Sequence, residues 1–303
     1  FPDFPMDEGL HRAVTEAMEQ GYNQYAPMPG WMPLREALAE KIEFLYGAKV
    51  DPDKSITITP GGTYAIYSAL TAILRPGDEV IVMEPCYDSY IPNVEINGAT
   101  AVRVKLLLPG FRVDWPAVEA AISTRTKAII LNSPCNPTGS LTDENAVRPI
   151  MEAAIKHGIW MIIDLCYEHL IYDKVPHNLP KLLFDAHRDR TVICGSLSKT
   201  YAMTGWRAGW TIAPKELTAA FNVIQGHSTS NITSFVQKAG VAALLGPQDG
   251  VTVMLDEYRK RRDAIHGWLT AHPGIKCVKP RGAFYLFPDI SDLLTGSVKT
   301  SAD

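Results

Sequence analysis

Short runs rich in β-branched residues alternate along this chain with longer stretches whose apolar positions recur at helical spacing. Ser55–Thr59, Glu79–Met83, Ala101–Leu106, Ala128–Leu131, Ile159–Ile163 and Thr191–Cys194 read as strands. Several are apolar throughout, as strands covered on both faces must be. Leu34–Leu45, Thr63–Leu74, Trp115–Ser123, Glu144–His157 and Leu179–Ala186 read as helices. This alternation predicts an α/β fold, a mainly parallel sheet sandwiched by helices. After about Pro214 long helical stretches take over (Leu217–Gln225, Ser234–Leu245, Val251–Ala271), followed by a short strand near Ile275–Val278 and an alternating run over Ala283–Phe287. The break at Gly246–Gly250 predicts a large domain, residues 1–248, and a smaller, incomplete C-terminal α+β domain, residues 249–303. So short a unit is thin for independent folding. It is expected either to lack its C-terminal part or to lean on the large domain.

With 46% apolar and 20% charged residues over 303 positions, the chain can bury a substantial core without disulfide staples. Its 29 basic against 33 acidic residues leave a net charge of −4. That balance argues against nucleic acid as a partner, because phosphate backbones demand clustered positive charge. A small anion held by one or two residues is still compatible. Cys86, Cys135, Cys166, Cys194 and Cys277 form no CxxC pair, which reads as reduced thiols of an intracellular protein and offers no metal site. No apolar run reaches the ~18 residues of a membrane helix. The opening Phe1-Pro2-Asp3-Phe4 does not read as a signal peptide. The expectation is a cytoplasmic protein with no membrane partner.

In open α/β sheets ligands bind beyond the carboxyl ends of the strands, so the residues following each strand are the candidates. Pro60-Gly61-Gly62-Thr63 opens a helix, whose free N–H groups suit a phosphate, although a plain strand-to-helix turn would look the same. Asn132-Ser133-Pro134-Cys135-Asn136-Pro137-Thr138-Gly139 holds Asn136 between two prolines, as a ligand-aiming loop or a rigid turn would. Asp164 ends a buried strand, with Tyr167 just beyond; the carboxylate needs a strong partner there, unless it caps the next segment. Ser196-Leu197-Ser198-Lys199-Thr200, then Gly205-Trp206-Arg207, combine hydroxyls with two cations; Lys199 beside Arg207 and partly buried would be a nucleophilic amine. Taken jointly, a lysine, a buried carboxylate, an oriented Asn, a Tyr and phosphate donors meet the needs of pyridoxal 5′-phosphate. That cofactor takes a lysine Schiff base, an acid at its pyridine nitrogen and a nest for its phosphate.

These motifs resemble those of the class I/II aminotransferases of fold type I, near the prokaryotic aspartate, aromatic and methionine aminotransferases. Asn136-Pro137-Thr138-Gly139, Asp164-Leu165-Cys166-Tyr167, Ser196-Leu197-Ser198-Lys199 and Thr204-Gly205-Trp206-Arg207 carry the resemblance. Asn23-Gln24-Tyr25-Ala26-Pro27 and Arg281-Gly282-Ala283-Phe284-Tyr285 add to it. The resemblance implies a transaminase acting on an amino acid and a 2-oxo acid by a ping-pong cycle. Lys199 would bond the cofactor and move the proton, Asp164 would face the pyridine nitrogen, and Asn136 and Tyr167 would meet the ring hydroxyl. Tyr87 would stack on the ring. Gly62, Thr63, Ser196, Ser198 and Arg207 would hold the phosphate. Tyr25 matches a tyrosine that reaches the neighbouring subunit's phosphate, which implies a homodimer. A β-lyase, a cyclase, an oxidase or a non-catalytic cofactor-binding regulator would share these residues. The family's carboxylate-binding arginine lies beyond Asp303. Thr63 replaces a lysine found in some prokaryotic aspartate enzymes, whereas Ser228-Thr229-Ser230-Asn231 resembles the aspartate type.

Overall fold

The computed structural model describes residues 2–173, 177–295 and 300. Seven strands form one sheet: β1 (Ile56–Thr59), β2 (Glu79–Glu84), β3 (Thr100–Lys105), β4 (Thr126–Asn132), β5 (Trp160–Asp164), β6 (Thr191–Ser196) and β7 (Gly209–Ile212). Their order is β1-β7-β6-β5-β4-β2-β3, with β7 antiparallel to both neighbours and the pairs from β6 through β3 parallel. The helices are α1 (Glu8–Glu19), α2 (Met32–Tyr46), α3 (Pro52–Ser55), α4 (Gly62–Ile73), α5 (Tyr90–Glu95) and α6 (Trp115–Ala121). They continue with α7 (Glu144–His157), α8 (Leu179–His187), α9 (Lys215–Ser228), α10 (Ser234–Leu245) and α11 (Asp249–Thr270).

Because strand side chains alternate faces, each apolar strand serves two cores. Ile129, Leu131, Met161, Ile163 and Ile193 point into one, closed by Leu38 and Ile42 of α2, Val147 and Ile150 of α7 and Leu183 of α8. Ala128, Ile130, Ile162 and Val192 point into the other, closed by Ile66 and Leu70 of α4, Tyr90 and Val94 of α5 and Phe221 of α9. A third, smaller cluster joins Tyr167, Leu170 and Tyr172 to Met254 and Tyr258 of α11 and to Ala283.

All six expected strands form, with ends shifted by a residue or two. Helices α1, α3 and α5 and the short strand β7 lie outside the pattern reading; β7 is four residues long and opens on a glycine, too brief to show a period. The expected strand near Ile275–Val278 and the alternating run over Ala283–Phe287 are not strands among the described residues, only isolated bridges such as Lys276 with Asp289 and Ile171 with Gly282. The chain entering the second run is tied instead to loops of the main body. Arg281 and Gly282 donate to the Gly139 carbonyl (3.0 and 2.9 Å), and Ala283 donates to that of Leu170 (2.8 Å).

The register sets the site. Gly209 at the start of β7 pairs with both Thr59 at the end of β1 and Ser196 at the end of β6. Asp164 at the end of β5 lies opposite Asn132 and Cys194. Only glycine permits the first junction: a Cβ on Gly209 would lie 2.5 Å from the carbonyl carbon of Gly61 and 2.9 Å from the oxygen of Gly195. Gly209→Ala is therefore expected to lower the unfolding free energy by about 1–3 kcal/mol, since the obstacle is backbone that cannot rotate away. Gly267→Ala in α11, where nothing lies within 4 Å of the added carbon, is expected to raise stability by about 0.5–1 kcal/mol. Thermal or denaturant unfolding of the two variants measures both.

Candidate active site

Beyond these strand ends lies a cavity of about 530 Å³. Every candidate from the sequence except Tyr25 lines it: Gly62, Thr63, Tyr87, Asn136, Asp164, Tyr167, Ser196, Ser198, Lys199 and Arg207. Tyr285 and Cys166 also reach it.

One end of the cavity is the N-terminus of α4. Gly61 takes φ 88°, a left-handed value, and its missing Cβ leaves room for the Arg207 guanidinium, which a side chain there would meet at 2.5 Å. Gly62 is equally restricted, its absent Cβ lying 2.6 Å from the Cys166 sulfur. The loop after β6 folds back on itself, Leu197 donating to the Ala208 carbonyl (3.1 Å), and this return brings Arg207 to the same end as Ser196 and Ser198. Arg207 Nη1 is steadied by the Thr204 carbonyl at 2.8 Å. Free N–H groups, two buried hydroxyls and a guanidinium form an anion cradle.

Asp164 is buried. Its Oδ1 accepts from the Cys166 backbone N–H (2.9 Å) and its Oδ2 from the Tyr90 hydroxyl (2.7 Å). Asn132 ties the neighbouring strand to it: its Nδ2 donates to the Asp164 carbonyl (3.1 Å) while its Oδ1 accepts from the Asn136 N–H (2.7 Å). Burial pushes the Asp164 carboxyl above its ordinary value, and these donors pull the other way. Among the described residues no Lys, Arg or His forms an ion pair with it. A carboxylate that faces a cavity without a cation of its own is suited to a ligand that brings one.

Lys199 projects into the cavity with its Nζ 6.0 Å from the ring centre of Tyr167 and 5.6 Å from that of Phe284. Burial lowers its affinity for a proton, and the Arg207 charge works in the same direction. Tyr167 hydrogen-bonds Tyr285 through the two hydroxyls, and Tyr87 does so with Thr63 (3.1 Å). These residues can hold pyridoxal phosphate: an anion cradle, an unpaired buried carboxylate and a deprotonatable amine share one cavity.

The pattern reading missed Tyr90, Asn132 and Tyr285 as site residues. Asn132 and Tyr285 lie inside motifs already noted; Tyr90 carries no signal except its place three residues after Tyr87, which becomes a neighbour only through the turn that leads into α5. Tyr25 stands apart, 86% exposed. Its loop is nonetheless pinned, Asn231 donating to the Ala26 carbonyl (2.6 Å), Ser234 to that of Tyr22 (2.6 Å) and Gln225 to that of Met28 (2.9 Å).

Behind the Tyr167 turn lies a buried ionic cluster. Glu168 pairs with Lys41 and accepts from the Tyr46 hydroxyl (2.6 Å), while Lys41 also lies over the Trp210 ring. Burial opposes the charge on Glu168, but Lys41 holds its carboxyl down at about 2. Burial and Lys41 together push the adjacent His169 down to about 4.

Residues 2–301 match the family described as aminotransferase class I and II. The chain is 38% identical to an aspartate/prephenate aminotransferase of Cereibacter sphaeroides over 303 residues, covering 99% of this chain and 75% of that protein. It is 36% identical to the methionine aminotransferase of Escherichia coli, covering 97% and 76%. Among solved structures, the aspartate aminotransferase of Rhizobium meliloti superposes with a TM-score of 0.93 at 36% identity, covering 96% of this chain and 73% of that one. The aromatic aminotransferase of Pyrococcus horikoshii does so with 0.92 at 34%, covering 96% and 78%.

The cluster behind Tyr167 makes stability depend on acid. A histidine held below its ordinary 6.5 stays neutral when folded but binds a proton when unfolded, so stability is complete above 6.5 and falls as pH drops towards about 4. Glu168 extends the loss from its ordinary 4.5 down to about 2, because there the unfolded chain again binds the extra proton. Denaturant unfolding across this range is expected to show a shallower upper slope in His169→Asn than in the parent protein.

Proposed function

The chain belongs to the class I and II aminotransferases and is an enzyme of amino-group transfer; we propose that it works with pyridoxal 5′-phosphate, moving an amino group from an α-amino acid to a 2-oxo acid in a ping-pong cycle. The observation that carries this reading is the meeting of the Lys199 amine, the cation-free Asp164 carboxylate and the α4 N-terminus on one cavity. On this reading residues 1–248 are the large cofactor-binding unit, and residues 249–303 are part of a smaller one that brings Tyr285 to the site.

In this site the cofactor supplies an electron sink for the pair left when Cα loses its proton. Asp164 would hold the ring nitrogen in its cationic form, which requires the carboxylate to stay ionised despite burial. Asn136 and Tyr167 would meet the ring hydroxyl oxygen, and Tyr87, hydrogen-bonded to Thr63, would cover one face of the ring. Gly62, Thr63, Ser196, Ser198 and Arg207 would anchor the phosphate. Lys199 would hold the cofactor through its amine and would move the proton at Cα; its lowered proton affinity suits that work. We further propose a homodimer in which the exposed Tyr25, on its pinned loop, reaches the partner's phosphate, and a cytoplasmic location consistent with five free cysteines.

The test is direct. Purified protein mixed with pyridoxal phosphate should turn yellow, and borohydride should fix the label on Lys199. An amino donor with 2-oxoglutarate should yield glutamate in step with donor consumed; ammonia and pyruvate would mark elimination instead. Lys199→Ala is expected to lose the coloured bond and all turnover. Asp164→Ala is expected to retain bound cofactor while proton removal slows by at least about a hundredfold. Near-intact turnover in either variant overturns that residue's role.

A further inference from the structure

Resting on that reading of the site, we propose that Tyr90 is a positioning residue for the reaction: its phenol fixes one oxygen of Asp164 and keeps the carboxylate an anion towards the cofactor's ring nitrogen, without bringing a charge of its own.

The argument starts from what surrounds Asp164. Its carboxylate accepts from the Cys166 backbone N–H and from the Tyr90 hydroxyl, and the Cys166 thiol also favours its anionic form. The first is fixed by the turn after β5 whatever side chain stands there. The second comes from a side-chain hydroxyl, so the choice of amino acid at this position controls it. The other titratable groups acting on this region are the thiols of Cys135, Cys166 and Cys194 and the phenols of Tyr167 and Tyr285, all held in their neutral forms by burial. None of them offsets the carboxylate charge.

A lysine or arginine in place of Tyr90 would satisfy Asp164 and then repel an incoming cationic ring. A phenylalanine would take the hydroxyl donor away from a carboxylate in a desolvated setting, which then takes up a proton more readily. A phenol avoids both outcomes. Burial and the Asp164 charge hold its proton in place, so it remains a donor.

Its own position is over-determined. Tyr90 is 2% exposed, begins α5 and donates its N–H to the Tyr87 carbonyl (3.1 Å). Its ring meets that of Tyr87 edge to face, 5.6 Å between centres at 87°. Through Tyr87 it reaches Thr63 at the start of α4. One side chain thus links the carboxylate to the aromatic face above the ring and to the phosphate end.

The experiment loads wild-type protein, Tyr90→Phe and Tyr90→His with cofactor isotopically labelled at its ring nitrogen. Nitrogen NMR then reads whether that nitrogen carries a proton, with kcat and KM measured alongside. In Tyr90→Phe the resonance is expected to move towards the unprotonated position. Its kcat should fall about tenfold or more, as for loss of a hydrogen bond to a charged group, with KM for the donor within about threefold. Tyr90→His returns an N–H donor and is expected to restore the resonance and most of kcat. Should the phenylalanine variant fail to fold by circular dichroism, the histidine variant alone is decisive: an unprotonated ring nitrogen in it overturns the proposal. A protonated, unmoved resonance in Tyr90→Phe, or equal losses in both variants, also overturns it. Wild-type protein that binds no cofactor overturns the reading of the site itself.

Discussion

A carboxylate removed from water and given no cation is the constraint around which this site is organised. Burial raises the affinity of the Asp164 carboxyl for a proton. What opposes protonation is a backbone N–H fixed at the end of β5 and a phenol held at the start of α5. The cost of desolvating that charge is returned only when a cationic group enters the cavity. The Lys199 amine, the anion cradle at α4 and the Tyr87 ring make sense as the remaining walls around such a ligand.

The sheet supplies the rigidity that this requires. Asp164, Asn132 and Ser196 are terminal residues of three strands; Asp164 is laddered on both sides, Asn132 and Ser196 on one. Glycines at Gly61 and Gly209 let β1, β6 and β7 meet without intervening side chains, and Arg207 fills the space that Gly61 leaves. The stacking residue Tyr87 has no strand beneath it; Tyr90 and Thr63 fix it instead. The pinned loop around Tyr25 follows the same principle at the surface: the backbone is held at several points while the ring projects outward.

The segment after α11 shows how an element can serve the site without being a strand. Its backbone is satisfied by the Gly139 and Leu170 carbonyls, which places Tyr285 against Tyr167. The period-two pattern over Ala283–Phe287 does not specify backbone partners, and in the fold the consecutive Ala283, Phe284 and Tyr285 all pack into the third cluster.

The chain by itself determined the alternation of strand and helix, the two-faced apolar strands and the chemistry at their ends, because side-chain periodicity and strand-end position are local properties written in consecutive residues. It also marked Lys199, Asp164, Asn136 and Arg207 as one set. Tertiary structure alone decided what completes them. Tyr90 reaches Asp164 across 74 positions of sequence, and Tyr285 reaches Tyr167 across 118. β7 runs against β6 because the chain folds back between them, and Gly209 lets β1, β6 and β7 meet at one level. Such pairings depend on distances between segments that no window of sequence contains, and a buried charge is neutralised or kept by whatever those distances bring to it.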